Sequence, residues 1–279
     1  MLVTLKEILK EAYKNKYAIA GFNVYGYEDA ISVVKASEKL NLPVILMTNV
    51  DAINHMPIKI LGKMLIEIAE KAKVPVVVHL DHGKTIEVVK KALEAGFSSV
   101  MYDGSALPLE ENIRNTKAVV DLASKYGASV EGEIGSVGYS DPALNSNASY
   151  TDPSEAQLFF EKTGVDALAV AIGTLHRMTE QEAVIQYELL EQIEAMTHVP
   201  LVLHGSTGVK DSDLKKLSSK GICKVNIGTA IRMAFGHTMR DEFNKNPLEF
   251  DRIKLFKEPM KQVEQVVMHK MRILGGENA

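Results

Sequence analysis

The chain has 279 residues, is 46% apolar and carries a net charge of −4 from 32 basic and 36 acidic side chains. That length can bury a large core in one domain over residues 1–279. Charges of both signs are interspersed, which argues against a nucleic-acid or anionic-membrane partner. The lone cysteine, Cys223, rules out an internal disulfide framework and fits a reducing compartment. No apolar run approaches the roughly 20 residues that span a bilayer. The first residues (Leu5, Ile8, Leu9, Ala12, Tyr13) have helical spacing and lack the apolar block of a signal peptide. A soluble, cytoplasmic protein is therefore expected.

Along the chain one punctuation recurs: an amphipathic helix, a Gly, Asn or Val-Pro break, then a short apolar strand. The first strand is expected over Ala18–Val24. The break then appears as Asn41-Leu42-Pro43 before VILM, Val74-Pro75 before VVVHL and Gly96 before FSSVMY. It returns as Gly127 before ASVEGEI, Gly164 before VDALAVAI, Val199-Pro200 before LVLHG and Gly221 before ICKVNIG. Gly or Asn after a lysine-rich helix end is a C-cap signal, and Pro stops a helix. Eight such units without a linker or composition shift predict a single (β/α)8 TIM barrel. A doubly wound open sheet is the alternative, but GFNVYGYED lacks its Gly-rich turn. Two regions stand outside the repeat. Gly135–Asp152, rich in Gly, Ser and Asn, reads as a lid. Leu248–Leu274 reads as extra C-terminal helices, with Met260, Val263, Val267, Met271 and Leu274 as an apolar stripe for packing or subunit contact.

Barrel strands deliver their chemistry at their C-terminal ends. The expected ends are Asn23, Thr48-Asn49, Asp81-His82, Asp103, Glu131 with Glu133, His176, the turn His204-Gly205-Ser206-Thr207-Gly208, and Asn226-Ile227-Gly228-Thr229. Three of these offer a histidine. His82, His176 and His204, with no cysteine nearby, match a catalytic zinc site with an open fourth position. Unrelated packed histidines are the plain alternative, as is Asp81 serving only as a cap for a helix over Lys84–Glu94. His79 shares its parity with Asp81 and is expected inside the barrel as a supporting partner. The two Gly-containing turns at strands seven and eight read as anion cradles opening onto helices, where backbone N–H groups favour phosphate. Asp103 and Glu133 face the same mouth, as a second metal position or as partners of the next loop's backbone.

These motifs resemble those of the class II, metal-dependent ketose-bisphosphate aldolases, the fructose- and tagatose-bisphosphate aldolase family. The resemblance is carried by AIAGFNV, PVILMT, HLDHG, GFSSVMYDGS, VEGEIG, TGVDALAVAIGTLH, LVLHGSTG and KVNIGTA in this order, over essentially the whole chain. It implies that His82, His176 and His204 hold a catalytic Zn2+, that Asp81 exchanges the proton of the C4 oxygen, and that Asp103 and Glu133 form a secondary metal position. It also implies that Gly205, Ser206, Thr207, Asn226, Ile227, Gly228 and Thr229 bind the dihydroxyacetone-phosphate half, with Asn23 and Thr48 as further substrate contacts. A monovalent cation (Na+ or K+), a homodimer or homotetramer and a place in sugar-phosphate metabolism such as glycolysis are family habits. The implied reaction is reversible cleavage of fructose or tagatose 1,6-bisphosphate into dihydroxyacetone phosphate and glyceraldehyde 3-phosphate.

Two departures bear on substrate identity. The family commonly has glycine straight after the second zinc histidine, where this chain has Arg177. Its guanidinium could bind phosphate or a carboxylate-bearing substrate, or could face solvent. In the loop after the fifth strand, Asp141 is the only acid before Asp152 to exchange the C3 proton, and Asp141-Pro142 also reads as a turn. An aldolase with a different aldehyde half, and a catalytically impaired binding or regulatory barrel, are therefore kept as alternatives. A Schiff-base aldolase would have only Lys224 as its amine, and a sugar-phosphate isomerase or epimerase would need a second opposed acid/base group.

Overall fold

The computed structural model describes residues 1–141 and 148–275. Its helices α1 (Leu5–Asn15), α2 (Tyr27–Leu40), α3 (Val50–His55), α4 (Ile58–Lys71), α5 (Ile86–Glu94), α6 (Leu109–Ala123), α7 (Pro153–Thr163), α8 (Tyr187–Thr197), α9 (Asp211–Ser218), α10 (Thr229–Lys245), α11 (Arg252–Leu255) and α12 (Lys257–Leu274) alternate with short strands. Those strands are β1 (Ile19–Asn23), β2 (Val44–Thr48), β3 (Val76–Gly83), β4 (Ser99–Tyr102), β5 (Ser129–Ile134), β6 (Gly138–Tyr139), β7 (Ala167–Val170), β8 (Leu175–His176), β9 (Leu201–Leu203) and β10 (Ile222–Ile227). Eight of them close a parallel barrel in the order β1-β10-β9-β7-β5-β4-β3-β2, as the repeat predicts. Among the described residues no helix is long and apolar enough to cross a membrane.

The strands are buried on both faces, which is why they read as continuous apolar runs. Their outward side chains meet the helices in one large cluster that includes Phe22, Leu46, Val78, Phe159 and Leu203. Inward residues Ile19, Ile45, Val77, Ala167, Val202 and Cys223 form a second cluster with Leu5, Ile8, Leu9 and Ala12 of α1. The N-terminal helix thus closes the end where the strands begin. Its start is fixed by a capping box in which the Thr4 hydroxyl and the Glu7 side chain satisfy each other's backbone N–H groups. Cys223 is core packing as expected, and burial pushes its thiol up to about 12.

The C-terminal stripe is internal. Val263, Val267, Met271 and Leu274 of α12 are buried, and the helix packs on α2 and α10 of its own barrel. In the lid region, residues 142–147 lie outside the described residues. The base of that segment is zipped by an antiparallel bridge, with Ser136 and Ser149 exchanging backbone hydrogen bonds of 2.8 and 3.0 Å.

Candidate active site

Side chains alternate along a strand, so neighbours such as Asp81 and His82 would ordinarily face apart. Between Leu80 and Gly83 the register of β3 against β4 shifts, and His82 takes a left-handed φ of 51°. This bulge turns both side chains into the mouth. The strand therefore runs through both residues to Gly83, one residue past the end that the sequence suggested at Asp81-His82. Thr85, not Asp81, caps the following helix, which starts at Ile86. The left-handed turn costs on the order of 1–2 kcal/mol, and the His82 Nδ1–Asp103 Oδ2 bond of 2.6 Å helps hold it.

His204 follows β9 directly. His176 does not end the sixth barrel strand as expected: β7 stops at Val170, Gly173 turns the chain at φ 112°, and His176 arrives on β8. That strand pairs with β6 in a separate two-stranded sheet at the rim. The three imidazoles still converge. Ring centroids lie 5.1 Å (His82–His176), 4.6 Å (His82–His204) and 6.0 Å (His176–His204) apart, and one nitrogen of each lies within 4.8 Å of the others.

His82 Nε2 and His204 Nδ1 face each other at 2.9 Å. The outer nitrogens are taken by carboxylates: His82 Nδ1 by Asp103 at 2.6 Å and His204 Nε2 by Glu131 Oε1 at 3.0 Å. Carboxylates only accept, so each outer nitrogen carries the proton and each inner one a lone pair. Two facing lone pairs require a proton or a cation between them. Three imidazoles, two of them with carboxylate-held N–H groups, are the donor set of a zinc site with a fourth position open. The chain therefore fits the metal that the sequence suggested.

Electrostatics agree. Burial disfavours an imidazolium at His82, but the charge of Asp81, the hydrogen bond to Asp103 and the charges of Glu133 and Asp103 push its pKa up to about 9. Burial holds His176 and His204 below their ordinary value. For Asp81, burial alone would raise the pKa, but the electrostatic influence of the neighbouring His82, His204 and Lys224 and the hydrogen bond from the Asn23 amide bring it down to about 2. Its two oxygens accept from Asn23 Nδ2 at 2.7 Å and Asn226 Nδ2 at 3.0 Å. Asp81 is thus an ionised, oriented carboxylate beside the histidine cluster.

His82, Asp103 and Glu133 form a second group with metal-ligand spacing. Burial and the neighbouring Asp103 push Glu133 up to about 8. Asp103 is already bridged between His82 and Lys84, the latter at 2.5 Å, so a second cation there would displace the lysine.

A cavity of about 790 Å³ opens over these groups, and Asn23, Gly205, Ser206, Thr207, Asn226, Gly228 and Thr229 line it. Gly205 has φ 68°, and a Cβ there would stand 2.6 Å from the Leu175 carbonyl, so only glycine lets β8 approach the turn. The Ser206 hydroxyl donates to the Asn226 carbonyl at 2.5 Å and ties the two cradles together. Two expected contacts fail. Thr48 is fully buried at the end of β2 and does not line the cavity, which its neighbour Asn49 does. Ile227 turns outward into the core, as the parity of β10 requires, leaving only its backbone near the cradle.

Arg177 takes a left-handed φ of 60° at the rim, its Nη2 3.5 Å from Asp51 Oδ2 and its guanidinium 5.8 Å over the Tyr139 ring. Arg232 also faces the cavity from the first turn of α10 and stacks 5.2 Å over Tyr25; no sequence motif flagged it. Lys224 is fully buried and off the cavity wall, with Nζ 2.8 Å from Glu131 Oε2 and 2.6 Å from Asn226 Oδ1. That placement disfavours it as an imine-forming amine. His79 lies inside the barrel as its parity suggested, on Ser99 Oγ at 2.8 Å and 3.6 Å from Glu131.

Fold and site together define a barrel enzyme that sets a histidine cluster with metal-ligand spacing beside an ionised carboxylate, in a cavity walled by two glycine-containing turns. The sequence matches the family model described as fructose-bisphosphate aldolase class-II over residues 3–279, and the chain belongs to that family of aldolases. It is 36% identical to a fructose-bisphosphate aldolase of Staphylococcus aureus, over 99% of this chain and 98% of that one. It is 37% identical to the 6-phospho-5-dehydro-2-deoxy-D-gluconate aldolase of Bacillus velezensis, over 98% of this chain and 95% of the relative. Among solved structures, the YdjI aldolase from Escherichia coli K12 superposes with a TM-score of 0.88 at 34% identity, covering 99% of this chain and 98% of the other.

Proposed function

We propose that the chain reversibly cleaves the C3–C4 bond of a ketose 1,6-bisphosphate, of the fructose or tagatose kind, into dihydroxyacetone phosphate and glyceraldehyde 3-phosphate. The observation that carries this reading is the oriented carboxylate of Asp81 set against three converging imidazoles. His82, His176 and His204 would hold Zn2+. Bound there, zinc supplies a Lewis acid that stabilises negative charge developing beside the C2 carbonyl. Asp81 takes the C4 hydroxyl proton as the C3–C4 bond breaks and the aldehyde leaves, and returns it in condensation. Glu131 and Asp103 orient two of the imidazoles, and Asp103 with Glu133 and His82 offers the secondary metal position. Backbone groups of Gly205–Thr207 and Gly228–Thr229, at the start of α10, cradle the phosphate of the dihydroxyacetone half. Asn23 and Asn226 hold Asp81 where the C4 oxygen arrives. Asp141 is the candidate for the proton exchange at C3, and a monovalent cation (Na+ or K+) is assigned to the same cradle.

A second reading is favoured by Arg177. The gluconate-type relative acts on a substrate with a carboxylate and one phosphate, and a guanidinium fork at the rim suits a carboxylate at the aldehyde end. The same proposal places the chain in the cytoplasm as a homodimer or homotetramer. Exposed Phe243, Leu248, Phe250 and Ile253 offer an apolar surface for a second copy.

The test is cleavage of fructose 1,6-bisphosphate and tagatose 1,6-bisphosphate with trapping of the triose phosphate, run with chelator, with zinc restored and with borohydride. Activity lost to chelator, regained with zinc and indifferent to borohydride supports the reading. Inactivation by borohydride would replace it with a lysine imine. Zinc bound at one per chain without cleavage of either sugar would move the substrate toward a carboxylate-bearing aldehyde half.

A further inference from the structure

Below the mouth lies a buried polar layer that does not line the cavity. Lys224, Glu131 and His79 are each fully excluded from solvent. A buried ion pair is poor value as a stability device, because apolar residues of similar volume fill the same space without desolvating charge. A lysine at this depth therefore calls for another explanation, and its hydrogen bond to Asn226 and its ion pair with Glu131 supply one.

We propose that Lys224 is the positioning residue of the site, its one ammonium fixing the amide of Asn226 on one side and the carboxylate of Glu131 on the other. The proposal rests on the roles given above to Asp81 and His204. An ammonium has donors only. Asn226 must therefore turn Oδ1 toward Nζ, 2.6 Å away, and this aims its NH2 at Asp81 Oδ1, 3.0 Å away. A flipped amide would set NH2 against the ammonium and oxygen against the carboxylate. Lys224 thus selects the amide orientation in which Asp81 is held by two donors, Asn226 and Asn23.

The second arm runs through Glu131. Its Oε2 lies 2.8 Å from Lys224 Nζ, which leaves Oε1 to accept from His204 Nε2 at 3.0 Å. That bond places the His204 proton on Nε2 and the lone pair on Nδ1, the nitrogen facing His82. His79 Nε2 completes the surroundings of Oε2 at 3.6 Å, and Asn226 Nδ2 passes His204 Nε2 at 3.4 Å as a non-bonded neighbour of that N–H. One side chain, off the cavity wall and outside the histidine cluster, so sets both the proton-handling carboxylate and one lone pair of that cluster.

The arrangement gives an unusual pair of variants. In Glu131→Gln the ammonium takes the only side-chain oxygen at position 131, leaving NH2 to face His204 Nε2. The imidazole must then move its proton to Nδ1, and the metal-facing lone pair is lost. Adding Lys224→Met frees the amide to turn its oxygen back toward His204. Zinc affinity is measured by titration of the metal-free protein, and the His204 tautomer by 15N imidazole shifts. Supporting groups of this kind are typically worth about 10–100-fold in metal affinity. Glu131→Gln is expected to lose that much and to switch the His204 pattern. Lys224→Met/Glu131→Gln is expected to recover zinc to within about tenfold of the parent, with the parent tautomer.

A double variant that binds zinc no better than Glu131→Gln overturns the proposal, as does an unchanged tautomer in the single variant. If Glu131→Gln does not fold, the other arm decides. Lys224→Met and Asn226→Ala act on the same Asp81 contact, so their combined loss of kcat should match the larger single loss. Multiplicative losses would make Lys224 merely structural. The zinc and tautomer readings need no substrate, so they stand even if the parent cleaves neither bisphosphate.

Discussion

Removing the carboxylate of Asp81 separates its role from that of the metal. In Asp81→Ala the Nδ2 groups of Asn23 and Asn226, which now donate at 2.7 and 3.0 Å, lose their acceptor in a buried setting. Each unsatisfied donor costs about 1–3 kcal/mol. For a chain of this size that sum lowers Tm by roughly 4–24 °C at about 2–4 °C per kcal/mol. Asp81→Asn keeps the shape but sets one NH2 against another, and should cost less. The three imidazoles are untouched, so both variants should still bind one zinc per chain. General base catalysis is worth about 10²–10⁴-fold, and kcat for bond cleavage should fall by that factor. The sharp assay is exchange of the C3 proton of dihydroxyacetone phosphate in D2O, followed by NMR. That exchange involves no C4 hydroxyl and should survive in both variants while cleavage is lost. If exchange and cleavage fall together with zinc still bound, Asp81 does not serve the C4 oxygen.

His82 holds a proton up to about 9 because Asp81, Asp103 and Glu133 surround it, so zinc uptake at pH 7 must expel at least one proton per chain. Calorimetry in buffers of different ionisation enthalpy should show this, with release shrinking as pH passes about 9; uptake without proton release at pH 7 would contradict the ligand assignment. Gly205→Ala would drive a Cβ to 2.6 Å from the Leu175 carbonyl and displace β8, which carries His176. Zinc affinity should drop about tenfold or more, equivalent to 1.4 kcal/mol, and an unchanged affinity would show that the turn does not set His176. Arg177→Gly relieves a left-handed non-glycine residue, worth about 1–2 kcal/mol, and gives up a weak exposed pair with Asp51. Its Tm should hold or rise while KM for a substrate anionic at the aldehyde end rises about tenfold; an unchanged KM would leave Arg177 without a binding role.

The barrel was legible because each unit carries its own punctuation: a C-cap glycine or a proline, then a strand buried on both faces. The site was legible wherever a polar residue closes such a strand, as at Asn23, Asp103, His204 and Asn226. It was less so where local backbone breaks the alternation. The bulge that turns Asp81 and His82 together has no marker beyond Gly83. The excursion to β8 leaves His176 looking like a strand end, since Gly173 reads as an ordinary break. Parity did carry information that strand-end reading passed over. Glu131 with Glu133 and Lys224 with Asn226 are i, i+2 pairs, one residue at the mouth and one a layer below. The same rule excludes Ile227, whose neighbour Asn226 takes the inward position. Arg232 had no signal, because a charged residue in the first turn of a helix is most often solvated.

The central claim is that three histidines from three different segments hold one catalytic metal. His176→Ala tests it most directly, because His176 stands on the rim sheet and its loss leaves the barrel strands intact. Zinc per chain and cleavage rate should be measured on the same sample. Both should be lost together; a metal-free variant with full activity would contradict the account.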